Sequence, residues 1–221
     1  MKKFIFIPVV SNMNLLEKAV HSVNPNIYDE YIIFNNSGGE IPESVYLGTP
    51  FATLIPDQPK SFTETQNFMR DYAIRNNFDY YSFMHNDGEV HNDTDSKLVN
   101  FVENLNEDWG VVFTLYDVLC AFNTRAVEHI GEWGDEEWPT QKSGYYLDCD
   151  YYRRLSKSGY PQFTIPEHHI THTASNTIKN PEELKIWEDQ RSAVVAHYIK
   201  KWGGVNGAEI YDHPFNDKDN R

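Results

Sequence analysis

The stretch Asp79–His91, DYYSFMHNDGEVH, decides how the rest of the chain is read. Tyr80 to Met84 is a short, mostly apolar run of β-formers, as expected of a strand buried on both faces. It breaks at His85-Asn86-Asp87-Gly88-Glu89, where oxygen and nitrogen ligands crowd beside a glycine. An acidic cluster just past the carboxyl end of a buried strand is where open α/β sheets place their ligands. Asp87 and Glu89 offer hard carboxylate oxygens, which suit Mg²⁺ or Mn²⁺ bridging a diphosphate. Asn-Asp-Gly is equally good turn chemistry, so an ordinary turn closing a hairpin stays open as a reading.

Upstream of this stretch, Phe4 to Val10 reads as a first buried strand, with Pro8 near its end where no ladder donor is needed. Leu15, Leu16, Ala19, Val20 and Val23 recur at helical spacing, and Tyr31 to Phe34 is a second strand ending in the polar turn Asn35-Asn36-Ser37-Gly38-Gly39. Strand, helix and strand in that order make a βαβ unit and so a parallel sheet. Ala52 to Ile55 reads as a short third strand. Thr63 to Asn76 reads as a helix with Phe68, Tyr72 and Ala73 on one side.

Downstream, Asp93-Thr94-Asp95 is a capping-type lead into a helix over Ser96–Leu105. Strands are expected over Val111–Leu115 and Val118–Asn123, then a short helix Thr124–Ile130 stopped by Gly131. Glu132 to Ser143, with Trp133 and Trp138, lacks periodicity and reads as a functional loop or lid. Tyr145 to Ser158 is a helix, Phe163–Ile165 and His168–Thr173 are strands, and Glu182–Trp202 is a long helix. The tail from Gly203 either wraps the domain or is disordered.

The chain has 221 residues, which fits a single domain able to bury its own core. A formal charge of −14 argues against a nucleic-acid backbone or an anionic membrane as the main partner. Two isolated cysteines, Cys120 and Cys149, form no disulfide framework, so a reducing, cytoplasmic setting is expected. The opening MKKFIFIPVVSN has too short an apolar run for a signal peptide, and no run approaches a transmembrane length.

Asp148 and Asp150 fall near the start of the Tyr145 helix, where the helix end favours an ionised carboxylate and a base role. Two positions apart, they diverge by about 200° and do not share one job. Most Asp residues early in a helix serve capping or the helix dipole, and that is the simpler reading of both. His168, His169 and His172 make no HExxH pattern. His172 is either a metal ligand completing a site begun by Asp87 or, more simply, a hydrogen-bonded surface histidine. GxGxxG, GxxxxGK[ST] and GxSxG motifs are all absent from the sequence.

The ordered set of parts resembles family-2-type glycosyltransferases of the nucleotide-diphospho-sugar transferase superfamily, with the GT-A fold, over roughly Lys3 to Ser175. Phe6-Ile7-Pro8-Val9-Val10-Ser11-Asn12 matches the family's first strand and Pro-containing turn. Asn35 stands where the second strand meets the nucleotide base, and Gln66-Asn67 lies on the helix before the metal strand. The D-x-D signature falls on His85-Asn86-Asp87, with His85 in place of the first Asp. Gly144–Gly159, GYYLDCDYYRRLSKSG, is similar to the acidic-helix motif, with Leu147 where the family usually has Glu. His172, with Ser175 behind it, matches a late His that reaches the metal or diphosphate. Lys201-Trp202-Gly203-Gly204 is similar to small phage and viral members.

The resemblance implies a three-layer α/β/α domain around a mixed, mostly parallel sheet. Residues 1–92 would form the donor half, 93–180 the acceptor and catalytic half, and 181–221 a C-terminal helix and tail. It implies a Mn²⁺- or Mg²⁺-dependent inverting transferase with Asp87, Glu89 and His172 as metal ligands and Asp148 as base, Asp150 beside it. Pro8, Val9, Val10, Asn35, Asn67, His85 and Asn86 would contact a nucleoside-diphosphate sugar, by family habit a UDP-sugar. A glycan or glycoconjugate is the implied acceptor; Trp133 and Trp138 are stacking candidates, with core packing an equally good reading for one of them. A non-catalytic carbohydrate- or nucleotide-binding domain of the same fold stays open because of His85.

Overall fold

In the computed structural model the described residues are 1–135, 137–138, 144–173 and 181–217. Nine strands and six α-helices alternate along them: β1 Lys3–Val9, α1 Met13–Ser22, β2 Glu30–Asn35, β3 Ala52–Leu54, α2 Phe62–Arg75, β4 Tyr80–Met84, β5 Gly88–His91, α3 Thr94–Glu103, β6 Val111–Thr114, β7 Tyr116–Asn123, α4 Thr124–Ile130, α5 Leu147–Lys157, β8 Gln162–Thr164, β9 His169–His172 and α6 Pro181–Trp202. Seven strands form one sheet in the order β3-β2-β1-β4-β7-β6-β8, and β5 and β9 form a separate ribbon. Only β7 runs against the other strands of the large sheet, pairing antiparallel with β4 and β6. The expected mixed, mostly parallel sheet is what the chain builds.

Alternation along β1 explains the three layers. Ile5, Ile7 and Val9 point to a core shared with α1 and α3, while Phe4 and Phe6 point to a second core shared with α2, α4 and α5. The second core is aromatic: Phe4 stacks on Tyr81, and Tyr81 on Phe122. On α2 the buried residues are Thr65, Gln66, Met69 and Ala73. Phe68, on the side expected to carry Tyr72 and Ala73, is partly exposed and packs against Phe34.

Two local readings are corrected. The residues after β4 do not fold back as a hairpin on it. They turn, and then Gly88–His91 pairs antiparallel with His169–His172. Asp93 does not cap α3 with its side chain; it takes the left-handed region at φ 54. Asp95 faces inward instead and accepts the Asn24 N–H at 2.6 Å.

The last long helix is tied to the core by charge. Val194, Tyr198 and Trp202 form its buried stripe at i, i+4, i+8. Asp150 on α5 is fully buried, accepts from Trp202 Nε1 at 2.8 Å and Arg154 Nε at 3.0 Å, and forms an ion pair with Lys201 Nζ at 2.9 Å. Lys201 also meets Asp135 at 2.8 Å, which His197 approaches at 3.2 Å. The chain after α6 folds back, with Tyr211 N–H donating to Trp202 O and Arg153 donating to Tyr211 O. Removing one partner of such a buried set strands the others, so Asp150→Ala is expected to lower unfolding free energy by about 3–5 kcal/mol in urea denaturation. A loss below about 1 kcal/mol would show that the network is not holding α6 to α5.

Candidate active site

The turn after β4 is pressed against β7. His85 N–H donates to Val118 O at 2.9 Å, and Gly88 N–H closes the turn onto His85 O at 3.1 Å. A Cβ at Gly88 would meet Val118 Cγ1 at 2.8 Å, so only glycine admits this approach. The β5–β9 ribbon then sets Gly88 opposite His172, and Thr173 N–H donates to Asp87 O. Sequence-distant histidines are thereby delivered to one turn.

His85, Asp87 and His172 each offer a ligand atom, all within 4.8 Å of one another. His172 Nε2 lies 3.2 Å from Asp87 Oδ1, and His85 Nδ1 lies 3.8 Å from the same oxygen. Burial holds the His85 imidazole below its ordinary pKa against the pull of Asp117 and Asp87, which keeps a ring lone pair free for a cation. Two imidazoles and a carboxylate make a set that a first-row divalent ion fits. His85, expected on the ribose or diphosphate, lies within this group of three side chains that could hold a metal ion. Glu89, expected as a ligand, sits on β5 opposite Thr171 and outside that group.

The turns expected to hold the donor converge on the same strand ends. Pro8 and Val9 pair with Phe34 and Asn35, and Val10 is exposed just beyond. Asn86 Nδ2 donates to Ser11 O at 3.0 Å, tying the first turn to the metal turn. Asn35 is committed locally: its Nδ2 donates to Gly39 O, while its Oδ1 accepts from the N–H and hydroxyl of Ser37. Asn67 is committed elsewhere. It exchanges two hydrogen bonds with the Trp133 backbone, so its amide braces the loop after α4.

Asp148, in the first turn of α5, lines a cavity of about 830 Å³ together with Tyr116, Asp117, Tyr152, Arg153 and His168. Burial, and then the Asp117 charge, raise its carboxyl to about 6. Asp150 points away, as the helical geometry requires, and its oxygens are taken up by Arg154, Lys201 and Trp202. It positions α5 and does not face the cavity. Burial and the neighbouring Asp148 push the Cys149 thiol up, away from the thiolate form.

Trp133 is core, 3% exposed and stacked on Tyr151 at 4.0 Å between ring centroids. Trp138 packs on α6 against His197. The remainder of the expected lid, Glu136 and residues 139–143, lies outside the described residues, as does Ser175. Asp117 is the residue that sequence reading missed. Tyr116-Asp117 falls between the two expected strands Val111–Leu115 and Val118–Asn123, with no motif to mark it.

No family model matches the chain, and no curated protein does. Solved structures do. A mannosyltransferase from Pyrobaculum calidifontis, in complex with GDP-Man and Mn²⁺, aligns with a TM-score of 0.59 at 13% identity over 75% of this chain and 55% of its own. TarS 1-349 of S. aureus aligns at 0.59 and 10% over 90% of this chain and 66% of its own. Glucosyl-3-phosphoglycerate synthase from Mycobacterium tuberculosis, in complex with Mn²⁺ and UDP-Glc, aligns at 0.60 and 14% over 89% of this chain and 78% of its own. The chain thus spans little more than half the length of the first of these and about two thirds of the second. With its mixed seven-stranded sheet and helices on both faces, this chain has the GT-A fold of the nucleotide-sugar glycosyltransferases.

Proposed function

We propose that the chain is a metal-dependent inverting glycosyltransferase that moves a sugar from a nucleoside-diphosphate donor, a UDP-sugar by the family's habit, to an acceptor hydroxyl. The observation that carries the proposal is the His85–Asp87–His172 cluster at the carboxyl ends of the parallel strands. The neighbours solved with Mn²⁺ and a nucleotide sugar support it. His85, Asp87 and His172 would hold Mn²⁺ more readily than Mg²⁺, because Mg²⁺ favours an all-oxygen shell. Bound there, the ion supplies charge that screens a diphosphate and stabilises it as leaving group.

The first strands and their turns, residues 1–92, take the donor; the region from 93 to 180 takes a glycan or glycoconjugate acceptor. Asp148 faces the cavity as base. It accepts the acceptor hydroxyl proton as that oxygen bonds to the anomeric carbon, while the bond from that carbon to the diphosphate oxygen breaks. One displacement inverts the configuration, by the stereochemical logic that separates the two glycosidase classes. A carboxylate with a raised pKa is a stronger base than an ordinary Asp, yet remains largely ionised at neutral pH.

Two outcomes test this. With Mn²⁺ present, one nucleoside diphosphate at a hundredfold excess over its Kd should raise stability by about 2.7 kcal/mol in a thermal-shift assay, and Asp87→Ala should abolish the response. No response from any nucleotide in the wild type would remove the donor site. Asp148→Asn should cut the transfer rate by about 10²–10⁴-fold while leaving that stabilisation intact. Because its carboxyl is raised, wild-type turnover should fall as pH drops towards 6 and below, where Asp148 takes up its proton. Metal-dependent nucleotide binding with neither transfer nor donor hydrolysis would instead favour a non-catalytic binding domain.

A further inference from the structure

The connection between β6 and β7 is irregular at a telling place. The register shifts between Phe113 and Thr114, so that Thr114 pairs with Tyr116. Tyr116 sits at φ 48, the left-handed region that a non-glycine residue adopts at a cost, and its ring is 80% exposed. No hydrogen bond or ring contact holds the Tyr116 side chain among the described residues. Bulges of this kind re-aim a neighbouring side chain, and here the next residue is Asp117.

Asp117 is carried to the metal turn by contacts already described. His85 N–H donates to Val118 O, and the bare Cα of Gly88 lets Val118 close in. Asp117 Oδ1 then stands 3.9 Å from His85 Nε2. That nitrogen is buried and has no hydrogen-bond partner among the described residues. The other ring nitrogen, Nδ1, faces Asp87. On the far side, Asp117 Oδ2 receives the Tyr152 hydroxyl at 3.5 Å, which fixes the carboxylate's orientation.

A histidine that binds metal through one nitrogen characteristically donates its other N–H to a carboxylate, which sets the tautomer and the ring plane. The unpartnered Nε2 needs such an acceptor, and Asp117 is the carboxylate beside it. We propose that Asp117 is a positioning residue that holds the His85 ring with Nδ1 towards the metal and so returns to the site, at one remove, the carboxylate that His85 displaced. The proposal rests on the metal site of the preceding section. It assigns Asp117 no contact with the ion.

The test is Mn²⁺ binding to the full chain, by titration calorimetry and by the electron paramagnetic resonance of free Mn²⁺. Asp117→Ala should weaken binding about 10–100-fold, the range for loss of such a partner, and Asp117→Asn, which keeps a neutral acceptor, should fall between it and the wild type. Metal-free melting temperatures of the variants identify any general loss of fold; should the Ala variant not fold, the isosteric Asn variant carries the test. A cycle with His85→Ala separates positioning from a bulk effect. With the imidazole gone, Asp117→Asn should cost nothing further. Unchanged affinity in the single Asp117 variants, or losses that simply add in the double variant, would overturn the assignment. A wild type that takes up no Mn²⁺ would overturn the metal site and Asp117 together. Loss confined to Asp87→Ala and His172→Ala would overturn Asp117 alone.

Discussion

Everything at the ligand end of the sheet depends on how closely the turn after β4 lies against β7. One hydrogen bond from His85 N–H to Val118 O makes that approach, and the missing Cβ at Gly88 leaves room for the Val118 side chain. If the turn stood further off, the antiparallel ribbon of β5 and β9 would lose its starting point. His172 would then no longer meet Asp87. The metal group, the Asn86 tie to Ser11 and the placement of Asp117 all follow from this single contact. Steric permission at one glycine is the constraint on which the site is built.

The fold was readable where a single physical signal dominates. The βαβ start shows in the run of apolar β-formers and in helical spacing, and the structure moves those boundaries by only a residue or two. The stop at Gly131, which lies at φ 84, and the divergence of Asp148 from Asp150 follow from local geometry alone. What could not be read is what depends on distant partners. Gly88–His91 is a strand only because His169–His172 pairs with it, and four residues carry no pattern that announces such a partner. Asn35 and Asn67 have the right residue type at the right place, yet what each amide bonds is set by Gly39, Ser37 and Trp133. Asp117 was invisible for the same reason: a bulge, which no residue type encodes, turns it into the site.

Residues on α5 divide labour between two environments. Its first turn carries one aspartate facing a cavity and one sealed among cations. Asp148 is desolvated without a cationic partner, so its proton is held more tightly. Asp150 is desolvated with three donors around it, so its charge is satisfied and it serves as an anchor. The anchor reaches the last turn of α6, which makes the C-terminal helix a support for the helix that carries the proposed base.

The ribbon of β5 and β9 also has a consequence for how the molecule assembles. Its strands come from positions about eighty residues apart, so closing it carries the entropy of a long loop. The parallel pair β1 and β2, with Ile5 opposite Tyr31, closes a much shorter loop and can form first. The metal group therefore belongs to the late, non-local part of folding. A cation that binds only the closed ribbon would draw that last step forward, so ion occupancy and completion of the fold are one equilibrium viewed from two sides.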